Sequence, residues 1–288
     1  MTRYVGRFAP PSPSGPLHFG SLIAALGSYF QAKAQNGAWL VRIEDLDPPR
    51  EMPGAAQLIL EALKAYQLHW DGEVVYQSER HDLYQAQINK WLENGEAIIA
   101  NVLVSKLKSM AVLSWHLPRK LERRRDSPKN DQACRSFPRP KRGGTITIPE
   151  QLVNEDFIIK RRDGLFAYNL AVVLDDIDQG VTEVVRGADL IEPTGRQISL
   201  YQILGQPEVS YLHLPLAMDN NGNKLSKQNH ATAIDIDTPK PTLLRAMTFL
   251  GFEIPETVRA ANIEDILRWG GCENWRLEQL PAEIEITP

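Results

Sequence analysis

Two pairs of residues in this chain have the type and spacing to handle phosphate. His18 and Gly20 stand in PSPSGPLHFG, between the short apolar run YVGRFA and the helical pattern SLIAALGSYFQAKAQN. At a strand-to-helix junction the first backbone N–H groups and the helix dipole favour an anion. A histidine there can donate to a phosphate oxygen, and a glycine lets a nucleotide approach the backbone. Lys224 and Lys227 stand three apart in KLSK, after the turn DNNGN. Two such lysines can clamp a triphosphate and stabilise charge on a leaving pyrophosphate. Taken singly, each pair reads better as a solvated surface turn.

The elements that must position these residues alternate. YVGRFA reads as a strand, the segment after His18 as a helix, and AWLVRIED as a buried strand ending in two acids. GAAQLILEALKAYQ and DLYQAQINKWLENG carry helical periodicity. Strand, helix, strand, helix implies an α/β protein with a parallel sheet and crossovers. The order is lost from 98 to about 150, where no clean period survives and charges come in clumps. It resumes with DFIIKRRDG, YNLAVVLDDIDQG, TEVVRGADLI, a helix in GRQISLYQILG and a strand in YLHLPLAM. The expected organisation is a split catalytic domain, residues 1–97 and 151–235. An insertion, 98–150, divides it, and a short helical region, 236–288, follows.

The chain has 288 residues, 43% of them apolar and 24% charged, an ordinary balance for a soluble globular protein. Its two cysteines, Cys134 and Cys272, lie far apart, which argues against a disulfide framework and for a reducing cytoplasm. The N-terminus has no apolar leader, and no apolar run is long enough to span a bilayer. Residues 104–142 carry twelve Lys/Arg against three Asp/Glu, or +9, which leaves −13 on the rest of a chain of net charge −4. Composition alone makes that basic stretch a solvated insertion or a phosphate-binding surface.

The two phosphate motifs, in this order and some two hundred residues apart, resemble those of class I aminoacyl-tRNA synthetases, and of the glutamyl branch in particular. RFAP before the first motif, VRIEDLDPPR after it, and YNLAVVLDDIDQGVTEVVRGADLI in the second half fit that branch. The resemblance implies a Rossmann-type core and activation of L-glutamate by ATP with Mg²⁺. His18, Gly20, Ser21 and Lys227 would hold ATP, and His18, Gly20, Lys224 and Lys227 would serve catalysis. Arg7, Phe8, Ala9, Pro10, Ser12, Glu44, Tyr168 and Arg186 would line the glutamate site. Arginine suits the side-chain carboxylate because its planar fork makes two parallel hydrogen bonds. Glu44 would take the ammonium. Arg7 and Glu44 are also expected to be able to pair with each other, and Tyr168 to be able to serve as a core aromatic.

Only sixty residues follow KLSKQ, too few for a separate anticodon-reading domain of usual size. The chain is similar to the short form of the branch, which activates glutamate without tRNA and places it on queuosine in the anticodon of tRNA(Asp). That implies a cytoplasmic monomer with glutamate, ATP and tRNA(Asp) as partners and no membrane. The alternatives are a truncated glutamyl-tRNA synthetase charging a tRNA 3′ end, a catalytically impaired paralogue, and a small-molecule nucleotidyltransferase.

Two departures stand out. Ala9 is followed by two prolines, Pro10 and Pro11, where the branch has one, and the added ring fixes φ and removes a donor. The branch also carries a zinc knuckle, Cys-x-Cys then Tyr-x-x-x-Cys, near 98–118, and IIANVLVSKLKSMAVLSWHLP has none of those ligands. Codons compatible with Ile98–Lys108, read one base earlier, give Tyr-Tyr-Cys-Gln-Cys-Thr-Arg. Those of Leu113–Pro118, read one base later, give Tyr-Leu-Gly-Thr-Cys. Much of 98–140 is thus expected to be translated out of frame, the alternative being a divergent insertion.

Overall fold

In a computed structural model, residues 3–10, 14–104, 107–115, 135–138, 145–148, 157–218, 232–281 and 284–285 are described. Strand β1 (Val5–Phe8) runs parallel to β2 (Ala38–Ile43), with Arg7 opposite Leu40. The two are joined by helix α1 (Phe19–Ala34), the crossover that a parallel pair requires. β2 then pairs in parallel with the short β3 (Val75–Tyr76), across helix α2 (Ala55–Ala65). Nearly every residue of β2 is buried, as expected of a strand covered on both faces.

Helix α3 (His81–Glu93) leads into β4 (Ala97–Val104) and β5 (Leu107–Trp115), an antiparallel hairpin. A second antiparallel pair, β6 (Arg135–Pro138) and β7 (Thr145–Ile148), follows. These strands correct the expectation of lost order after residue 98. Antiparallel pairing depends on partners across the ladder, and AIIANVLV is a continuous apolar run without alternation, so pattern reading finds no period there. The frame-shift reading, placed on 98–140, falls largely outside the described residues.

β5 also pairs with β8 (Ile158–Lys160), which returns the chain to the main body. Helix α4 (Tyr168–Asp178), strand β9 (Glu183–Gly187), helix α5 (Ile191–Ile203) and strand β10 (Ser210–Leu214) complete a second parallel unit, with Arg186 opposite His213. The Thr182 N–H donates to the Val5 carbonyl at 2.9 Å, so β9 lies against β1 and the two parallel pieces abut.

One apolar cluster joins α1, α2, β1 and β2 to residues of the C-terminal helices α6 (Pro239–Phe249), α7 (Glu256–Ala260) and α8 (Ile263–Arg268). Phe30 of α1 meets Phe252 and Trp275 at ring separations of 5.3 and 5.7 Å. Gly27 allows α1 to press on β10, since a Cβ there would collide with buried Leu214. A second cluster gathers α3, β8, α4 and α5 around Tyr84, Trp91, Ile159 and Leu170. A short strand β11 (Ala217–Met218) follows β10 and pairs with β12 (Ile284–Glu285). Among the described residues no helix is long and apolar enough to cross a membrane.

Candidate active site

A cavity of about 630 Å³ opens where the two clusters meet. Its walls take Arg7, Phe8, Ala9 and Pro10 from the end of β1, His18, Gly20 and Ser21 from the start of α1, and Glu44 from the end of β2. Tyr168, the first residue of α4, and Arg186 of β9 complete them. Strand ends and helix starts converge here because ligand clefts of open parallel sheets form beyond the C-terminal ends of the strands. Ten of the residues expected at the glutamate and phosphate sites, Pro10 among them, therefore share one cavity. Ser12, Lys224 and Lys227 lie outside the described residues, as does Pro11.

His18 is the N-cap of α1. Its Nδ1 accepts from the Ser21 N–H at 3.3 Å, and its Nε2 lies 3.0 Å from the Ser21 hydroxyl. With Nδ1 accepting, a neutral ring carries its hydrogen on Nε2, the atom able to donate to a phosphate oxygen. The first turn of α1 holds no acidic side chain, which leaves its positive end free to favour an anion. The chain that follows the KLSK segment comes back to this point. Ala233 bridges to His18, and the Ile234 N–H donates to the Leu17 carbonyl at 3.0 Å.

Arg186 crosses from β9 towards Tyr168. Its Nη1 is 3.4 Å from the Tyr168 hydroxyl, and its Nη2 donates to the Thr194 hydroxyl at 2.8 Å and to the Leu190 carbonyl at 3.2 Å. The guanidinium lies over the Tyr211 ring, 5.2 Å from its centre. Its Nε is buried with no hydrogen-bond partner among the described residues. Burial raises the Tyr168 hydroxyl above its ordinary range, with Glu44 adding to the effect, so the phenol stays protonated.

The alternative in which Arg7 pairs directly with Glu44 gives way to a larger arrangement. Arg7 donates from Nε and Nη2 to the two carboxylate oxygens of Asp176 on α4, at 3.1 and 3.0 Å. Arg42 of β2, with no exposed surface, donates to the same carboxylate at 2.8 Å and lies 3.6 Å from Glu44 and 3.7 Å from Asp175. Asp175 in turn accepts from Gln77, Arg80 and Tyr84 at 2.7, 2.6 and 2.8 Å. Burial alone would raise the Asp176 carboxyl, but Arg42 and Arg7 together hold it below the usual range. Glu44 goes the other way. Burial raises it, Arg42 and Arg7 do not offset this, and Asp176 and Asp175 add to it. One Glu44 oxygen, Oε1, is buried with no hydrogen-bond donor among the described residues and lies 3.6 Å from Arg42 Nη2.

Reading the sequence missed Arg42, Asp175 and Asp176. The signal was present: a cation in the apolar strand AWLVRI and two acids inside YNLAVVLDDID, where charges must be paired to be tolerated. The zinc implied by the resemblance has no seat among the described residues, where no cluster of three His, Cys, Asp or Glu is placed to hold a metal. Cys134 is the single cysteine between 98 and 150. The residues present do not fit that ion.

The fold is α/β with a cleft at the strand ends, and comparison with known proteins gives its family. The model of "tRNA synthetases class I (E and Q), catalytic domain" matches residues 4–139 and 139–272. The chain belongs to that family, and it is an aminoacyl-tRNA synthetase-like ligase. A Vibrio parahaemolyticus protein named glutamyl-Q tRNA(Asp) synthetase is 75% identical over 295 residues, covering 100% of this chain and 98% of its own. An Escherichia coli protein of the same name is 52% identical over 291 residues, covering 99% and 93%. Among solved structures, a glutamate tRNA ligase from Elizabethkingia meningosepticum in complex with its amino acid superposes with a TM-score of 0.72 at 21% identity. It covers 97% of this chain, which spans 66% of that ligase. This last likeness bears on the fold alone.

Proposed function

We propose that the chain activates L-glutamate with ATP in the absence of tRNA and passes the glutamyl group to queuosine in the anticodon of tRNA(Asp). The observation that carries this reading is the division of one cavity into complementary ends. Arg186 and Arg7, both in its lining, suit the side-chain carboxylate. Glu44, a carboxylate on the cavity wall, suits the ammonium. His18 and the start of α1 suit the phosphates. The names of the 52–75% identical relatives supply the acceptor.

In this reading a glutamate α-carboxylate oxygen attacks the α-phosphorus of ATP, and the bond to pyrophosphate breaks. A cyclopentene hydroxyl of queuosine then attacks the acyl carbon, and AMP leaves. Such steps need positioning and charge neutralisation more than covalent help. Arg7, Arg186, Tyr168 and Glu44 fix the amino acid, while His18 and Lys227 face the phosphate charge. Mg²⁺ would arrive on the ATP phosphates and neutralise them.

ATP–pyrophosphate exchange with glutamate and no tRNA tests the first half, and its absence would refute activation. Transfer of labelled glutamate to tRNA(Asp) with and without queuosine tests the second. Label on a 3′ end instead would establish the truncated glutamyl-tRNA synthetase alternative.

A further inference from the structure

The buried charges behind the cavity form a chain of alternating sign: Glu44, Arg42, Asp176, Arg7. Glu44 and Arg7 line the cavity, whereas Arg42 and Asp176 do not. The two outer members are the groups assigned above to opposite ends of the amino acid, and the two inner members join them. Resting on that functional reading, we propose that Asp176 is a positioning residue for amino-acid recognition. Through Arg7 and Arg42 it fixes the spacing between the carboxylate-binding and ammonium-binding ends of the site.

Three observations support the assignment. First, Asp176 takes the Nε–Nη2 edge of Arg7 in a two-point fork, the geometry that most restricts a guanidinium. Arg7 then meets the cavity with its remaining edge in one orientation. Second, the same carboxylate accepts from Arg42 at 2.8 Å, and Arg42 is the cation nearest Glu44, at 3.6 Å. Without Asp176 the two arginines would lose their shared counter-ion, and Glu44 would be the nearest carboxylate left to Arg42 beside Asp175. An arginine drawn onto Glu44 would compete with the substrate ammonium. Third, Asp176 sits on α4 eight residues after Tyr168, about 12 Å along the axis. Its bonds to β1 and β2 therefore also tie the helix carrying Tyr168 to the strands carrying Arg7 and Glu44.

Asp175 provides the control. It is as deeply buried and lies near Arg42, but its hydrogen bonds go to Gln77, Arg80 and Tyr84 of the neighbouring segment, and it makes none to Arg7. A residue that only holds the fold would behave alike at either position.

The test is steady-state ATP–pyrophosphate exchange on the full-length wild type, Asp176→Asn, Asp176→Glu and Asp175→Asn, with melting curves for each. Asp176→Asn is expected to raise the KM for glutamate by about 10–100-fold, the range typical of residues that orient a ligand-binding group from behind. The KM for ATP should stay within about twofold of wild type. Asp175→Asn should lower Tm without raising the glutamate KM. The pH profile adds a readout that a structural role would not move. Glu44 faces Arg42 and Arg7, Asp176 and Asp175, and the Tyr168 hydroxyl. Loss of the Asp176 charge makes Glu44 easier to ionise, so the acid limb of kcat/KM for glutamate should move to lower pH. Asp176→Glu keeps the charge but displaces the fork, so it should raise KM without that pH shift, and it serves if Asp176→Asn does not fold. An unchanged glutamate KM in either folded Asp176 variant overturns the proposal, as does an equal rise in Asp175→Asn. Wild-type protein inactive in the exchange would overturn the functional reading and this proposal together, a result distinct from equal KM values in active proteins.

Discussion

Replacing Glu44 by glutamine should separate stability from function in opposite directions. Glu44 is 5% exposed, and burial raises its carboxyl above the usual 4.5 even though Arg42 and Arg7 lie near. A group whose folded pKa is raised binds its proton more readily in the native state than in the unfolded chain. Its contribution to stability therefore falls as pH rises above 4.5 through the folded value, and beyond that window the ionised form is a net cost to the fold. Glutamine has nearly the same shape and no charge. Glu44→Gln is thus expected to hold or raise Tm at pH 8 and to remove that part of the pH dependence. The substrate ammonium, however, would lose the Glu44 carboxylate of the cavity wall. Removing one member of a desolvated charge pair costs about 2–5 kcal/mol, or roughly 30- to several-thousand-fold in kcat/KM for glutamate. Glutamate-dependent pyrophosphate exchange and thermal melts at pH 5 and pH 8 measure both. A kcat/KM within threefold of wild type would refute the role given to Glu44. A large fall in Tm at pH 8 would refute the argument that burial outweighs its two arginines.

Tyr168→Phe removes the hydroxyl 3.4 Å from Arg186, and the glutamate KM should rise by roughly 3–10-fold, as for one hydrogen bond of about 0.5–1.5 kcal/mol, with Tm little changed. Lys227→Ala should lower the exchange rate by about 2–4 kcal/mol of transition-state stabilisation, and an unchanged rate would exclude its role. Gly251→Ala should destabilise the fold by more than about 1 kcal/mol in urea melts. Its φ is +88°, where an L side chain is strained, and a Cβ there would run into the Gln279 carbonyl. The shifted-frame reading of 98–140 expects resequencing of the gene to return a base gained or lost near each end of that stretch. An unbroken frame, with the mass of this chain found in cells, would end it.

Local pattern made much of the scaffold legible. The buried strand AWLVRI, the helix after His18 and the helix GRQISLYQILG are all present where periodicity puts them. The hairpins after residue 97 were not legible, because antiparallel pairing is a relation between distant residues and leaves no period in a continuous apolar run. The C-terminal segment reads as a helical appendage, yet its apolar residues share a core with α1. Amphipathic patterning says which face is buried and not against what.

The sequence by itself determined the chemistry available: a histidine and a glycine at a helix start, two lysines three apart, arginine and glutamate in strands and at strand ends, and a tyrosine at the head of YNLAVVLDDID. Residue type and short spacing suffice for that, since capping, dipole and charge act within a turn or two. Only the tertiary structure decided which charges meet. Arg7 could have paired with Glu44 one strand away, but it pairs with Asp176, 169 residues further on. Parallel strands bring Arg7 and Arg42 side by side, and two neighbouring cations in a buried setting require a carboxylate between them. The helix that supplies it comes from the second parallel unit, and Glu44 is left beside Arg42 at 3.6 Å, on the wall of the cavity.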